Sequence, residues 1–315
     1  MTYDTIIIGA GPAGFTAGIY AARREMKTLI IGATMGGQML WASEIENYPG
    51  FKSIKSFELV NKMKEQAESF GVEIKTDEVK RIEKERDVFK VHTEKESYEA
   101  KTVIAALGAS PRRLAIPGEE EFKGRGVTYC ANCDGPFYKD KVVAVVGGGN
   151  SALDAAEIMG KIAKKVYLIH RNEEFRAFET LIKQVQEKEN IKCLLNSEVK
   201  EIIGEAKVNK IKVLNNKTNE EKEIELNGIF IEIGHIAEVD LVKDFVDIDE
   251  QNEVIVDEKC ATKTPGLYAA GDITQIPYKQ ITIAAGQATI AALAAYQYIQ
   301  LKAGKEAKII DRGHH

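Results

Sequence analysis

The fold of this 315-residue chain is decided by residues 5–14, whose sequence is TIIIGAGPAG. Its apolar first half predicts a strand, and the alanine-rich run Phe15–Arg24 predicts a helix, so the glycines fall in the turn between them. Gly9 permits the tight turn, Gly11 lets the backbone approach a phosphate, and Gly14 lets the helix pack on the strand. Because the helix start offers free N–H groups to an anion, the stretch predicts a dinucleotide-binding fold.

The same pattern returns in the middle of the chain at residues 147–152, with the sequence GGGNSA. It follows the strand-like run Lys141–Val146 and precedes an alanine-rich stretch, Leu153–Ala163, that predicts a helix. Ala152 stands where the third glycine is expected, a replacement that the motif allows. A glycine turn without a ligand is an alternative for either loop alone. Two such loops, each between a strand and a helix, favour two nucleotide-binding domains.

Size and composition narrow the class of protein. A chain of this length is expected to form two domains. The formal net charge is -5 and no basic block stands out, which argues against nucleic acid as a partner. No apolar run approaches the length that a bilayer requires, and the first strand begins at once, so we expect neither a membrane anchor nor a signal peptide. Four cysteines in a chain this long are no disulfide scaffold, which favours a reducing cytoplasm.

A cysteine pair, with the sequence CANC at residues 130–133, lies just ahead of the second loop. Cys130 and Cys133 can close a small disulfide ring, accept two electrons and pass them on by thiol–disulfide exchange. Zinc binding is the alternative, but zinc needs a second pair, and Cys193 and Cys260 are far apart in the sequence. We therefore expect a redox pair and no metal site.

Asp134 follows the pair directly. If burial raises the pKa of its carboxyl, Asp134 can act as a general acid that protonates a leaving thiolate. The alternative is a structural role, in which Asp134 caps the turn beside Gly135. The first interpretation makes Asp134 a candidate catalytic residue together with the two cysteines.

Other segments predict the elements around these motifs. Val88–Thr93 and Tyr98–Ala105 alternate between apolar and polar residues and predict an antiparallel ribbon inserted in the first domain. The mixed-charge run Lys80–Asp87 is typical of a solvated face. Near the end of the chain, Gly266–Asp272 predicts a short strand that ends in Gly-Asp, and Ile281–Tyr298 predicts a helix.

The end of the strand Lys165–Ile169 bears on the choice of nucleotide. It continues as His170-Arg171-Asn172, and Arg176 follows shortly afterwards. Two guanidinium groups can bind a 2′-phosphate, and no carboxylate stands at the strand end to accept a ribose diol, which favours NADPH. The alternative is that the arginines pair on the surface with Glu173 and Glu174.

Taken in order, the motifs resemble those of the low-molecular-weight thioredoxin reductases. They are residues 9–14, Gly36-Gly37-Gln38, Glu46–Gly50, the CANC pair with Asp134-Gly135, residues 147–152 and Ala270-Gly271-Asp272. The resemblance covers nearly the whole chain, and the position of the cysteine pair inside the second domain is its most specific part. That family also lacks, as the strand Thr28–Ile31 does here, the acidic residue with which a simple NAD site binds ribose.

The resemblance implies an α/β fold with two Rossmann-like dinucleotide-binding domains, the second inserted into the first. Residues 1–113 and 246–315 would form a discontinuous FAD-binding domain. Residues 114–245 would form an NADPH-binding domain that carries the redox-active pair. The hinges between them would lie near Pro111–Pro117 and near Asp244–Asp247.

The resemblance also implies which residues bind the cofactors. For FAD they are Gly9, Gly11, Pro12, Ala13, Gly14, Gly36, Gly37, Gln38, Asn47, Gly108, Gly271, Asp272, Lys279, Gln280 and Ile281. For NADPH they are Gly147, Gly149, Asn150, Ser151, Ala152, His170, Arg171 and Arg176. Cys133 would lie nearer the flavin, and Cys130 would attack the partner's disulfide. Two positions depart from the family, because Asn172 replaces an arginine and Leu107 stands where threonine is more common.

The implied function is the reduction of thioredoxin with electrons from NADPH, through FAD and the Cys130–Cys133 disulfide, in a homodimer. The cysteines and the nicotinamide would belong to one domain and compete for the same flavin face, so that domain would rotate during turnover. One alternative keeps FAD and the disulfide but takes electrons from ferredoxin, reduced flavin or NADH. Two others are a non-catalytic FAD redox sensor and the ferredoxin–NADP reductase branch, although that branch lacks the cysteine pair.

Overall fold

The computed structural model describes residues 2–41 and 44–305. The chain divides into unit 1, made of Met1–Leu40, Ile45–Ser110 and Ile236–His315, and unit 2, made of Trp41–Glu44 and Pro111–His235. The strands are β1 (Thr2–Ile8), β2 (Thr28–Gly32), β3 (Glu44–Ile45), β4 (Ile54–Lys55), β5 (Glu73–Thr76), β6 (Val79–Glu85), β7 (Val88–Thr93), β8 (Ser97–Ala105), β9 (Ala109–Pro111), β10 (Val127–Thr128), β11 (Val142–Val146), β12 (Lys165–Ile169), β13 (Ile191–Leu194), β14 (Ser197–Gly204), β15 (Val208–Asn215), β16 (Glu221–Glu225), β17 (Gly228–Ile231), β18 (His235–Ala237) and β19 (Leu267–Ala269). The helices are α1 (Pro12–Ala22), α2 (Ser56–Ser69), α3 (Ala131–Asp134), α4 (Asn150–Ile162), α5 (Glu179–Gln186) and α6 (Ile281–Lys302).

Unit 1 is built on a seven-stranded sheet with the strand order β5-β2-β1-β8-β7-β6, and β19 pairs with the second half of β8. Strands β5, β2, β1, β8 and β19 are parallel, whereas β6, β7 and β8 pair antiparallel. The register places Ile7 between Ile30 and Ile104, all fully buried. A parallel sheet is covered on both faces, which is why its strands are apolar throughout.

The core of unit 1 lies on both faces of this sheet. On one face, Phe15 of α1 and Leu59 of α2 pack with Ile7, and α6 joins the same core. On the other face, Val242, which follows β18, packs with Ile6. The alternation of Ile6 and Ile7 between the two faces follows from the two-residue period of a strand.

Unit 2 has a five-stranded parallel sheet with the strand order β10-β17-β11-β12-β13. One face packs against α4 and α5, where Leu153 and Val185 join Val145 and Phe230. The other face packs against the antiparallel sheet β14-β15-β16, whose Ile211 joins the same core as the strand residues of that face. In each unit the strand order reverses beside the strand that leads into the glycine loop, β1 or β11, and ligands of such sheets bind at this reversal.

A buried carboxylate fixes the loop near the start of unit 2. Glu119 is 3% exposed and accepts hydrogen bonds from the backbone N–H groups of Leu114 and Ala115, at 3.1 and 2.7 Å, and from the hydroxyl of Tyr129, at 2.9 Å. Ala115 has a φ of 56°, in the left-handed region, where a bond to its N–H stabilises it. Because Tyr129 precedes Cys130, Glu119 joins this loop to the segment that leads into the cysteine pair.

The predicted elements agree with the structure where the apolar pattern is strong. The strand Lys165–Ile169 has the predicted bounds, whereas α1 begins at Pro12, before the predicted Phe15. The run Lys80–Asp87 lies largely in β6, an outer strand whose only buried residue is Ile82, so its charges face solvent as expected. The predicted ribbon is not a separate insertion, because β8 pairs with β1 in the parallel sheet and with β7 in the ribbon.

The chain passes from one unit to the other near the predicted hinges. After the short segment Trp41–Glu44, which belongs to unit 2, the chain next changes units between Ser110 and Pro111, at the start of the predicted hinge. The last change, between His235 and Ile236, comes before the predicted Asp244–Asp247, because Val242 and its neighbours pack in the core of unit 1. The last ten residues of the predicted first domain, 306–315, lie outside the described part of the chain. None of the described helices combines the length and apolar character needed to cross a bilayer.

Candidate functional site

The cysteine pair forms a disulfide at the start of a short helix. Cys130 and Cys133 are bonded, with 5.3 Å between their Cα atoms. Cys130 is extended and precedes α3, and its Sγ accepts a hydrogen bond from the backbone N–H of Cys133 at 3.2 Å. A donor aimed at sulfur favours the thiolate, the form that reacts in disulfide exchange.

Asp134, the last residue of α3, points its carboxyl toward β10. Its Oδ2 accepts a hydrogen bond from Oγ1 of Thr128. Burial raises the pKa of Asp134, and the bond from Thr128 opposes this effect without cancelling it. A carboxyl with a raised pKa holds its proton to a higher pH, which suits a proton donor beside two cysteines. The carboxyl of Asp134 binds Thr128 and makes no hydrogen bond that caps the turn at Gly135, so the alternative structural role is not supported.

The first glycine loop has the close contacts that its motif predicts. A Cβ atom on Gly9 would lie 2.1 Å from the carbonyl oxygen of Ala106, and one on Gly14 would lie 1.9 Å from the carbonyl oxygen of Gly9. Helix α1 begins at Pro12 without a side-chain cap, and a Cβ on Gly11 would meet nothing within 4 Å. Open space in front of an uncapped helix start fits the pyrophosphate of a dinucleotide.

Glycines predicted to bind FAD from other segments surround this loop. The backbone N–H of Gly36 donates to the carbonyl oxygen of Ala10 at 2.7 Å. A Cβ on Gly37 would lie 3.6 Å from the Cα of Gly11. Gly108, which follows β8, has a φ of 75° and turns the chain at the same sheet edge. The structure thus brings together residues that are far apart in sequence.

Asp272 and Gln38 meet beside the same loop. Nε2 of Gln38 donates to Oδ2 of Asp272 at 3.1 Å, and a Cβ on Gly271 would lie 3.2 Å from the Cβ of Ala13. Burial raises the pKa of Asp272, whereas the charge of Lys279 lowers it. A buried carboxyl next to the glycine loop can accept further hydrogen bonds, which suits the ribityl hydroxyls of FAD.

The residues predicted near the flavin ring stand at the start of α6. Ile281 is the first residue of this helix, and Oε1 of Gln280 accepts a hydrogen bond from Nδ2 of Asn47 at 3.1 Å. Nζ of Lys279 lies 2.9 Å from Oε1 of Glu253. Lys279 therefore has a protein partner for its charge, and its contact with the flavin stays a prediction.

The second glycine loop repeats the geometry of the first within unit 2. A Cβ on Gly147 would lie 2.2 Å from the carbonyl oxygen of Glu232. Helix α4 begins at Asn150 without a side-chain cap, and the nearest atom to a Cβ on Gly149 would be 3.9 Å away. Ala152 is fully buried and fits in place of the third glycine. This loop also has room for a pyrophosphate.

The segment after β12 is tied to this loop by its backbone. The N–H of Arg176 donates to the carbonyl oxygen of Gly148 at 2.7 Å, and the N–H of Phe178 donates to Oδ1 of Asn150 at 2.9 Å. The predicted contact residue Ser151 is exposed in the first turn of α4. Arg176 is therefore placed next to the phosphate loop by its main chain, and its side chain is left exposed.

His170 supports the second loop from within the protein. A Cβ on Gly148 would lie 2.1 Å from Cε1 of His170, so the ring is packed directly against this glycine. Its Nε2 lies 3.0 Å from the carbonyl oxygen of Glu174, to which it donates, and burial lowers its pKa. A neutral, buried ring stabilises the loop but adds no charge to a phosphate site, so direct contact between His170 and NADPH stays a prediction.

The two arginines that follow β12, Arg171 and Arg176, have exposed side chains. Glu173, one of the carboxylates weighed as their partners, pairs instead with Lys217 at 2.6 Å. This pairing weakens the repulsion that Glu173 would exert on a phosphate. The arrangement supports Arg171 and Arg176 as binding residues for a 2′-phosphate.

Two polar residues beside the cysteine pair were not among the predicted ones. Thr128 binds Asp134, and Oε1 of Glu232 accepts a hydrogen bond from the backbone N–H of Ala131 at 3.3 Å. The only sequence signal for Glu232 is that it interrupts an otherwise apolar run, GIFIEIG at residues 228–234. Thr128 has no comparable signal, because threonine is common in strands.

A protein-family model described as pyridine nucleotide-disulphide oxidoreductase matches residues 3–288. The two glycine loops and the disulfide are the features that this class combines. The chain is 39% identical to a thioredoxin reductase of Mycolicibacterium smegmatis, over 94% of this chain and 96% of the relative, and 40% identical to one of Bacillus subtilis (strain 168), over 95% of each. A crystal structure of thioredoxin reductase from Streptococcus pyogenes MGAS5005 is 42% identical, with a TM-score of 0.86 over 95% of this chain and 99% of that one. The chain therefore belongs to the thioredoxin reductase family.

These similarities confirm several predictions made from the sequence. They confirm the α/β fold with two dinucleotide-binding domains, and they confirm an enzyme of the disulfide reductase class. They also confirm FAD and NADPH as its cofactors. The open space at both glycine loops fits these two dinucleotides.

Replacing either leading glycine should remove one cofactor only. Gly9→Ala should prevent FAD binding, because the added methyl group would overlap the carbonyl oxygen of Ala106. Gly147→Ala, with the same overlap in unit 2, should abolish NADPH binding and leave FAD in place. Flavin absorbance of the purified protein and titration with NADPH measure the two effects.

Gly286→Ala is the matched control, since its Cβ would meet nothing within 4 Å, and it should bind both cofactors. Loss of FAD from the Gly147 variant would contradict separate sites.

Proposed function

We propose that this chain reduces thioredoxin with electrons from NADPH. The observation that carries the proposal is the Cys130–Cys133 disulfide beside Asp134, in the same unit as the second glycine loop. A disulfide flanked by a proton donor has the groups that thiol–disulfide exchange requires. Membership of the thioredoxin reductase family supports thioredoxin, or a protein like it, as the partner.

We assign the two cofactors to the two parts of the chain. Residues 1–113 and 246–315 would bind FAD, and residues 114–245 would bind NADPH and carry the redox pair. Support comes from the contacts of each glycine loop, which lie within one unit: Gly9 against Ala106 in unit 1, and Gly147 against Glu232 in unit 2.

The chain's own residues account for the transfer to thioredoxin. FAD, when bound, would supply the two electrons that, together with two protons, convert the Cys130–Cys133 disulfide into two thiols. The thiolate of Cys130 then attacks one sulfur of the partner's disulfide, and Asp134 donates a proton to the sulfur that leaves. Cys133 attacks Cys130 in the mixed disulfide, which reforms the intramolecular bond and releases the partner with two thiols.

NADPH should reduce the flavin at least about tenfold faster than NADH at equal low concentrations, because only NADPH offers a 2′-phosphate to Arg171 and Arg176. Anaerobic stopped-flow absorbance of the flavin measures both rates. Arg176→Ala should lower the preference roughly tenfold, and Lys183→Ala, which removes a charge from an exposed side chain of α5, should not. Equal rates with both nucleotides, or rapid reduction only by ferredoxin, would instead favour the other donors.

Replacing Cys133 with serine should separate an enzyme from a redox sensor. The variant should keep its yellow flavin, since Cys133 lies outside the residues proposed for FAD, but NADPH-dependent reduction of thioredoxin should fall to background. Cys193→Ser is the control, because Cys193 is a free, half-buried cysteine on β13, and it should retain activity. Thioredoxin reduction that survives in the Cys133 variant would rule out the proposed relay.

We also propose that one unit rotates against the other in each turnover. The argument is that unit 2 carries both the disulfide and the NADPH loop, whereas the residues proposed for FAD belong to unit 1. The disulfide and the nicotinamide of NADPH must reach the flavin in turn, and two alternating arrangements of the units satisfy this need.

Covalent cross-linking of the two units should stop steady thioredoxin reduction, because it prevents the exchange of arrangements. A bifunctional amine reagent, with the linked peptides identified by mass spectrometry, tests this on the FAD-loaded protein. The same reagent with one reactive end is the control and should leave turnover unchanged. Steady turnover in protein whose units are verified to be linked would eliminate rotation.

We further propose a homodimer in the cytoplasm. The support is family resemblance for the dimer, and for the compartment the low cysteine content together with a redox pair that must be reduced in turnover. Sedimentation velocity tests the dimer, and fractionation of cells tests the compartment.

A further inference from the structure

The side chain of Glu232 connects the second glycine loop with the ring closed by the two cysteines. Glu232 follows β17, and its backbone N–H donates to the carbonyl oxygen of Val146 at 2.8 Å. Its carbonyl oxygen is the atom that a Cβ on Gly147 would strike. Its Oε1 accepts from the N–H of Ala131 at 3.3 Å, and Ala131 lies between Cys130 and Cys133.

The surroundings of Glu232 are poor in charge. Burial raises the pKa of Glu232 to about 7, and the hydrogen bond from Ala131 acts in the opposite direction. Strands β10, β11 and β17 and the loop at residues 147–149 contain no ionisable side chain. The ionisable groups on the other neighbouring elements are Asp134 on α3, Asp154, Glu157 and Lys161 on α4, His170 after β12, His235 on β18 and Arg112 near Gly234. Of these, Lys161 pairs with Glu157. The influences on the pKa of Glu232 are its burial and the hydrogen bond from Ala131, and neither is a cation.

We propose that Glu232 is a positioning residue that controls the ionisation of the Cys130 thiol through the Ala131 amide. The proposal rests on the proposed role of Cys130 in attacking the partner. A carboxylate bound to the amide next to Cys130 places a negative charge close to the thiol. This charge disfavours a second negative charge on sulfur, so ionised Glu232 raises the pKa of Cys130 and protonated Glu232 does not.

The two states of Glu232 have different consequences for exchange. The charge on Glu232 is absent in acid and develops as pH rises through its raised pKa, over the range in which thiols begin to ionise. A purely structural role would tie the ring to β17 equally at every pH. The dependence of Cys130 reactivity on pH therefore separates the two roles.

The test measures how fast iodoacetamide alkylates Cys130 as a function of pH. It uses the FAD-loaded, reduced Cys133→Ser protein, and mass spectrometry of the peptide that contains residue 130 excludes signal from Cys193. Adding Glu232→Gln should shift the ionisation of Cys130 downward by roughly one pH unit. At neutral pH, alkylation should become several-fold faster, whereas in acid the two proteins should react alike.

Two controls assign the effect to Glu232. Glu225→Gln removes an exposed carboxylate of β16 in the same unit and should leave the profile unchanged. In the Asp134→Asn variant, the pH profile of Cys130 alkylation should still contain the ionisation at lower pH that the proposal attributes to Glu232. An equal shift in the Glu225 variant, or coincident profiles with and without Glu232, overturns the proposal.

The proposal can still be tested if the Glu232→Gln protein folds poorly. With Glu232 intact, the Cys133→Ser protein should already show two ionisations in its alkylation profile, and a single ionisation overturns the inference. Alkylation requires neither NADPH nor thioredoxin. An enzyme that fails to reduce thioredoxin but shows the shift would reject the proposed function alone, whereas an active enzyme without the shift would reject the role of Glu232 alone.

Discussion

The close approach of two backbones at the carboxyl end of each parallel sheet is the constraint on which the rest of the structure depends. Gly9 lies against the carbonyl oxygen of Ala106, and Gly147 lies against that of Glu232, at distances that exclude any side chain. Because the chain turns so tightly there, α1 and α4 begin directly above their sheets with uncapped N–H groups facing open space. The anion sites are thus properties of the backbone, and the surrounding side chains adjust which dinucleotide fits.

In unit 2, this backbone contact also reaches the redox chemistry. The carbonyl oxygen that excludes a side chain at position 147 belongs to Glu232, whose carboxyl accepts the N–H of Ala131 within the disulfide ring. One residue therefore contacts both the nucleotide loop and the electron relay. The relay has a second carboxyl in Asp134, whose pKa is also raised by burial. The two acids approach the ring from different segments, Glu232 from the residue after β17 and Asp134 from the end of α3.

The sequence was sufficient for the elements that repeat a physical pattern. Both strand–loop–helix units, the cysteine pair and the final helix could be predicted, because glycine spacing and apolar periodicity reflect local geometry. Contacts between distant segments could not be predicted in this way. Nothing in the pattern around His170 indicates that its ring packs under Gly148, and the charge run Lys80–Asp87 does not reveal that most of it pairs as β6. Similarly, an acid at position 232 gains its importance only when folding brings Ala131 beside it.

Glu119 determines how firmly the chain is held where it enters unit 2 after Ser110. Its carboxylate accepts the N–H groups of Leu114 and Ala115, and these hydrogen bonds restrain the backbone at both residues. Pro111 has a restricted φ because of its ring. The backbone N–H of Arg112 donates to the carbonyl oxygen of Gly234 at 2.9 Å, so the stretch from Pro111 to Ala115 is held at most of its positions. Because Glu119 also accepts the hydroxyl of Tyr129, the start of this stretch is hydrogen-bonded to the residue next to Cys130, and in the proposed rotation the two would travel together.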